Sequence, residues 1–320
     1  MAKRITIPDT DLSLCPIGLG TAGAGVRWLE MGADRVFDAY LDLGGNFIDT
    51  ARVYSDWVPS ERGRSERVIG DWLEKSGKRN QIVLVTKGGH PEFTSSASDM
   101  HLSRMTPADM RHDIELSLKT LRVETIDLYF YHRDNQAQPV EELIETMEQF
   151  RREGKIRYYG CSNWEAARIL KADAYAQSEG YRGFVADEAL LNMAVKYGNP
   201  LPDDTLTSIA GELWSYHQKN PRNLAVAYMS VATGFFHRYL SGGVEAVKDN
   251  NYNTPRNLEV AGRVGALKRK YGVSITKVLL GYLGQLPFQC VALYGPKDLD
   301  QLKDAMEAID LSFEKPDFAI

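Results

Sequence analysis

The chain has 320 residues, 43% of them hydrophobic and 25% charged, which is enough apolar material for a large core and too much for a disordered chain. Its formal net charge of -5 at pH 7 excludes the broad basic field that grips nucleic acid or an anionic membrane. The opening MAKRITIPDT carries no apolar signal core, and no apolar run approaches the ~18 residues that span a bilayer, so a soluble cytoplasmic protein is expected.

Taken in order, the chain opens with two short alternating stretches, Arg4 to Ile7 and Leu12 to Cys15, around Asp9-Thr10, which read as a β-hairpin. Eight short apolar runs follow that could be buried strands: 17–20, 46–49, 82–85, 126–130, 156–160, 184–188, 224–229 and 290–294. Helical patterns lie between them. Thr106-Pro107-Ala108-Asp109 is a capping box with proline at the first helical position, and Met110, Ile114, Leu118 and Leu121 follow at helical spacing. Pro139 opens a similar helix that closes on Arg151, Arg152 and Gly154. Helices are also expected over 35–43, 64–75, 164–178, 203–217, 257–271 and 299–308. No Pro/Ser-rich linker divides the chain, so residues 1–320 read as one domain. Eight βα units at this length favour an α/β fold, a closed (β/α)8 TIM barrel with an N-terminal hairpin, over a doubly wound sheet.

Gly18-Leu19-Gly20-Thr21-Ala22-Gly23 matches the dinucleotide fingerprint GxGxxG, but no helix pattern opens immediately after it. The glycines are read instead as a flexible loop near a ligand. Cys15, Cys161 and Cys290 are far apart with no CxxC or nearby histidine spacing, and are expected to be reduced, buried and inert. No metal site is anticipated.

With a barrel assumed, the residues at the strand ends face one rim: Asp49, then Lys87, His132, Ser162-Asn163, Glu188 and Tyr228, with Tyr54 in the loop after Asp49. An Asp, a Tyr, a Lys and a His from neighbouring loops make a proton-transfer site. A phenol is a poor acid, and a lysine ammonium beside it would favour its ionised form. Each residue taken singly also has a structural explanation: Asp49 a turn cap, Tyr54 a packing ring, Lys87 a solvated strand end, His132 a core histidine.

Several segments together resemble the aldo-keto reductase superfamily over essentially the whole length: the GLGT turn, FIDTARVY, VTKGG, YHRD, YYGCSN and the final GPKDLDQL. The resemblance implies a barrel that binds NADP(H), with NAD(H) as the other candidate, and reversible reduction of an aldehyde or ketone. It implies Tyr54 as general acid, Lys87 and Asp49 tuning it, and His132 orienting the carbonyl; Trp57 and Arg133, from loops around the mouth, are expected beside the substrate. It further implies Ser162 and Asn163 on the nicotinamide carboxamide, Tyr228 stacked on the ring, and Gly20, Thr21 and Asp49 near the cofactor. Met229, Ser230, Val231, Ala232 and Gly234 would follow the pyrophosphate, and Gly295, Lys297, Gln301 and Asp304 would surround the adenosine ribose.

Three positions depart from the family pattern. Glu188 stands where relatives usually carry a glutamine, Lys297 is followed by Asp298 rather than Ser or Thr, and Ala305 replaces a frequent asparagine. Trp28, Trp57, His90, Arg133, Asn192, Tyr197, His237, Arg238 and Tyr239 are expected around the mouth. That mixture, with a short C-terminal tail, suits a polyhydroxylated, sugar-like carbonyl. Two other classes stay open: an aldolase or isomerase using Lys87 as a Schiff-base amine, and a non-catalytic nicotinamide-binding regulatory protein.

Overall fold

In a computed structural model, residues 3–28, 32–58, 61–94 and 98–318 are described. Strands β1 (Ile5–Thr6) and β2 (Ser13–Leu14) form the expected antiparallel hairpin, with Asp9 at φ 58° in its turn. Its buried side chains Ile5, Ile7, Leu12 and Leu14 pack among inward-facing barrel residues such as Phe47, Val83 and Val185, so the hairpin closes one end of the barrel interior.

The barrel is closed and all parallel. Its strands are β3 (Ile17–Gly20), β4 (Phe47–Asp49), β5 (Val83–Gly88), β6 (Ile126–Tyr131), β7 (Ile156–Ser162), β8 (Ala186–Leu190), β9 (Leu224–Tyr228) and β10 (Cys290–Tyr294). β10 pairs with β3 to complete the ring. The strands read as continuous apolar runs because both faces are covered. Inward residues such as Phe47, Val85, Leu128, Val226 and Val291 form the central core, while Ile48, Leu84, Tyr129 and Ala225 belong to the cluster beneath the helices.

Strand alternation positions the chemistry. Continuing each strand by two past an inward residue takes Phe47 to Asp49, Val85 to Lys87, Phe130 to His132, Ala186 to Glu188 and Val226 to Tyr228. The same step turns a packed interior into a polar C-terminal face.

The helices are α1 (Ala33–Asp42), α2 (Arg64–Ser76), α3 (Pro107–Leu121), α4 (Val140–Arg152), α5 (Ala166–Ser178), α6 (Gly211–Lys219), α7 (Phe235–Gly242), α8 (Pro255–Tyr271), α9 (Ile275–Leu283) and α10 (Leu299–Met306). Thr106 caps α3 as its motif foretells, accepting from the Asp109 N–H at 3.2 Å. None of these helices is long and apolar enough to cross a membrane.

The structure differs from the sequence reading at four points. The helix expected over 203–217 begins only at Gly211, because Asp203 turns back on its own loop, accepting from Thr205 N–H at 3.0 Å and pairing with Arg133. Helices α7 and α9 were not anticipated; Ser274 caps α9 by accepting from Lys277 N–H at 3.1 Å. Lys87 and Glu188 lie within β5 and β8 rather than at or beyond their ends. Gly18 is not in a flexible loop but in β3, where a Cβ would stand 2.7 Å from the Phe47 ring and 2.8 Å from Leu293. Cys15, Cys161 and Cys290 are unpaired and buried, and burial raises all three thiols, Cys290 to about 12.

Candidate active site

Lys87 is fully buried and is the hub of the site. Its Nζ donates to Asp49 Oδ2 at 2.5 Å, to the Thr50 carbonyl at 3.0 Å and to the Tyr54 hydroxyl at 3.2 Å. A second carboxylate, Glu188 Oε1, lies 3.2 Å away. Burial alone would push the ammonium down, but Asp49, Glu188 and Tyr54 outweigh it and its pKa rises.

The phenol behaves differently from the sequence expectation. Burial dominates and raises the Tyr54 pKa, Lys87 pulls against it, and Asp49 and Glu188 add to the rise. Tyr54 is therefore a neutral O–H donor in the resting site, with a cation ready to stabilise its oxygen once the proton leaves.

His132 follows β6, and its ring meets Tyr54 edge-on with centroids 5.7 Å apart. Burial, then the neighbouring His90, Arg133 and Lys87, hold it well below the ordinary imidazole value, so it is neutral. His90 lies 4.5 Å away ring to ring and is lowered to about 4, chiefly by burial. Its Nδ1 is 2.7 Å from the Pro91 carbonyl, which fixes that nitrogen as the donor.

On the opposite wall Asn163 is held from several sides. Its Oδ1 accepts from the Tyr228 hydroxyl at 2.7 Å and from the Thr207 N–H at 3.1 Å, and its Nδ2 donates to Ser162 Oγ at 3.0 Å. Ser162 donates to the Glu188 carbonyl at 2.7 Å. These bonds fix the orientation of Asn163 and Tyr228 in advance of any ligand.

A cavity of about 480 Å³ opens over this cluster. Gly20, Thr21, Asp49, Tyr54, His132, Arg133, Ser162, Asn163, Glu188, Tyr228, Met229, Ser230, Val231 and Gly295 all line it. Ala232, Gly234, Lys297, Gln301 and Asp304 stand outside that lining, as does Trp57, which is 38% exposed and packs on Phe93. Asp304 instead accepts from Ser274 at 2.6 Å and pairs with Lys277.

Most of the expected mouth lies elsewhere. Trp28 is buried with its indole N–H on the Pro296 carbonyl at 2.8 Å, Asn192 bonds Met229 O and Tyr252, and His237 bonds Thr276. Of the nine residues expected there, Arg133 alone lines the cavity, beside Arg27, Asp203, Leu206 and Thr233, which sequence reasoning missed. Pro202 and the Asp203-Asp204-Thr205 run were the available sign that residues 203–210 form a loop rather than a helix. A larger cavity of about 540 Å³ lies between Leu191, Trp214, Tyr282 and Leu286. Its lining has Lys196 as its one charged residue, with no carboxylate or histidine, so the chemistry belongs to the smaller cavity.

The aldo/keto reductase family model matches residues 16–320, nearly the whole chain. The chain belongs to the aldo/keto reductase family. It is 28% identical over 315 residues to an uncharacterized oxidoreductase, YrpG, of Bacillus subtilis, covering 96% of this chain and 90% of that protein. It is 24% identical over 340 residues to protein tas of Escherichia coli, covering 97% and 93%. An aryl-alcohol dehydrogenase [NADP(+)] of Phanerodontia chrysosporium is 30% identical over 207 residues, 60% of this chain and 52% of that protein. A crystal structure of a thermostable aldo-keto reductase with the inhibitor epalrestat superposes with a TM-score of 0.74 at 21% identity, covering 99% of this chain and 97% of that one, and shows the shared fold.

The family generally uses a nicotinamide cofactor, and one feature of this cavity fits it. Glu188 Oε2 is a buried acceptor that receives no hydrogen bond from any described residue, which an amide NH2 would remedy.

Proposed function

We propose that this protein reversibly reduces an aldehyde or ketone with NADP(H), Tyr54 supplying the proton. The observation that carries the reading is the single buried ammonium of Lys87, which joins the Asp49 carboxylate at 2.5 Å to the Tyr54 hydroxyl at 3.2 Å. Bound in the cavity, the reduced nicotinamide supplies the hydride. Tyr54 donates its proton to the carbonyl oxygen as charge builds there, and Lys87 stabilises the phenolate that forms only in the transition state. Asp49 keeps Lys87 charged and aimed. His132, neutral, is suited to a hydrogen bond to the same oxygen rather than to carrying charge. Ser162, Asn163 and Glu188 are the groups for the carboxamide, and Tyr228 offers its face to the ring.

Lys87 is ill suited to the alternative Schiff-base role, since a fully buried ammonium ion-paired to Asp49 at 2.5 Å, with the Glu188 carboxyl 3.2 Å away, is not a free nucleophile. The substrate side carries Arg27 and the Arg133–Asp203 pair at 3.2 Å, polar groups that favour a small, oxygen-rich carbonyl. For the cofactor, the Lys297 side chain is exposed, whereas the Asp298 carboxylate accepts from the Gln301 N–H at 2.7 Å at the start of α10. That engagement of Asp298 leaves NADP(H) favoured with modest discrimination.

The test is a spectrophotometric screen of aldoses, dicarbonyl sugars, short aldehydes and aromatic aldehydes with each reduced nicotinamide. Oxidation of NADPH by a polar carbonyl is expected. If both dinucleotides bind and no carbonyl oxidises either, the reading fails.

A further inference from the structure

Lys87 is one cation between two carboxylates. Asp49 and Glu188 are both buried, both reach Lys87 Nζ, at 2.5 and 3.2 Å, and lie within hydrogen-bonding reach of each other. Two anions against one cation in a buried site is unstable, so one carboxyl keeps a proton. Asp49, nearer the ammonium, is the better anion. Burial and then the Asp49 charge push Glu188 well above the usual carboxylate range, so Glu188 holds the proton. The other groups around it are Tyr54 after β4, Ser162 on β7 and Tyr228 on β9, both tyrosines neutral and the nearby His132 uncharged. No further cation competes for it at this distance among the described residues.

We propose that Glu188 is the proton reserve of the site: its carboxyl proton passes through the Lys87 ammonium to Tyr54, and the carboxylate left behind balances the positive charge of the oxidised nicotinamide ring. The inference rests on the function proposed above. The path is drawn by two contacts, Glu188 Oε1 to Lys87 Nζ at 3.2 Å and Nζ to the Tyr54 hydroxyl at 3.2 Å.

The step balances. The Tyr54 O–H breaks as an O–H forms on the carbonyl oxygen; a Lys87 N–H breaks as the phenol O–H re-forms; the Glu188 O–H breaks as the Lys87 N–H re-forms. The hydride comes from the reduced nicotinamide, which is oxidised as the carbonyl is reduced. Before the step the Asp49 and Lys87 charges cancel. After it, the Glu188 carboxylate and the cationic ring add one charge of each sign, so the buried site stays neutral throughout. A glutamine at this position could neither give the proton nor take the charge.

Binding therefore carries a proton signature. Titration calorimetry at about pH 7 in two buffers of different ionisation heat should show release of about one proton per site when oxidised dinucleotide binds, and none with the reduced form. Glu188→Gln, an isostere, should abolish the release and weaken oxidised relative to reduced dinucleotide by about tenfold or more, having lost a buried counter-charge. In parallel, infrared spectra of the ligand-free protein should show a carboxylic-acid carbonyl band that vanishes on addition of oxidised dinucleotide and is missing in Glu188→Gln. Binding of both dinucleotides without proton release, or release that persists in Glu188→Gln, overturns the proton-reserve role and leaves the proposed function standing. Failure to bind either dinucleotide overturns both.

Discussion

Replacing Lys87 by methionine removes the one cation from a site whose carboxylates are fully buried. Methionine fills much of the same volume, so the loss is electrostatic. With Lys87 gone, Asp49 has no counter-charge in reach, and breaking a buried pair from one side costs about 3 to 5 kcal/mol. Asp49 can limit that cost by taking up a proton, which makes the loss depend on pH. In the variant its folded pKa lies above the unfolded value of about 3.9. Between those two values the folded state binds more protons than the unfolded state, so stability falls as pH rises, by up to about 1.4 kcal/mol per pH unit. In the wild type the raised Lys87 pKa keeps its pairing intact below about 10.4, so Lys87 adds no slope in this range. Glu188 loses the same cation, and burial already raises both carboxyls in the wild type, so both deepen the pH dependence of the deficit. Urea denaturation of both proteins at about pH 5.5 and about pH 8 should show a deficit of several kcal/mol at the higher pH that shrinks at the lower. A deficit of the same size at both pH values, or one below about 1 kcal/mol at pH 8, refutes the reasoning.

Three further outcomes are expected. His132, held neutral chiefly by burial, should show no protonation in imidazole NMR between about pH 6 and pH 8, and a normal titration near 6.5 would contradict the packing described. Since the unfolded chain does protonate below about pH 6.5, this histidine lowers stability as pH falls through that value. Gly18→Ala places a Cβ 2.7 Å from Phe47 and should cost about 1 to 3 kcal/mol in urea while leaving dinucleotide affinity unchanged; a neutral effect would mean the barrel floor can shift. Asp298→Ser keeps a cap for α10, and because the cap already holds the Asp298 carboxylate at the start of that helix, fluorescence titration should show NADPH and NADH constants close to those of the wild type. NADPH bound several-fold tighter by the variant, with NADH unaltered, would show that this carboxylate opposes the cofactor despite the cap.

Much of the barrel was legible because its signals are local. Alternation within short apolar runs, capping residues such as Thr106 and Pro107, and polar residues arriving where Phe47 and Val85 lead are all readable along the chain. The convergence of Asp49, Tyr54, Lys87 and His132 follows from the barrel once its strands are found. What escaped the sequence depends on distant partners. Trp28 looks like a rim aromatic until its N–H is seen to meet Pro296, 268 residues away. Arg27, its neighbour, is the one that lines the cavity. Lysine beside a phenol suggests a lowered phenol pKa, but burial reverses the balance at Tyr54, and burial is a property of the assembled site. The sequence likewise marks Glu188 as unusual without showing that it shares its cation with Asp49.

In the proposed function Tyr54 gives the proton while other groups hold the cofactor. Its most direct test is rapid mixing of the protein, preloaded with NADPH, with an aldehyde found active in the screen, following nicotinamide absorbance in the wild type and in Tyr54→Phe. NADPH affinity should be closely similar for the two proteins and the rate of cofactor oxidation lower by at least about 10² in Tyr54→Phe, the contribution of a positioned acid. Equal oxidation rates in the two proteins would contradict it.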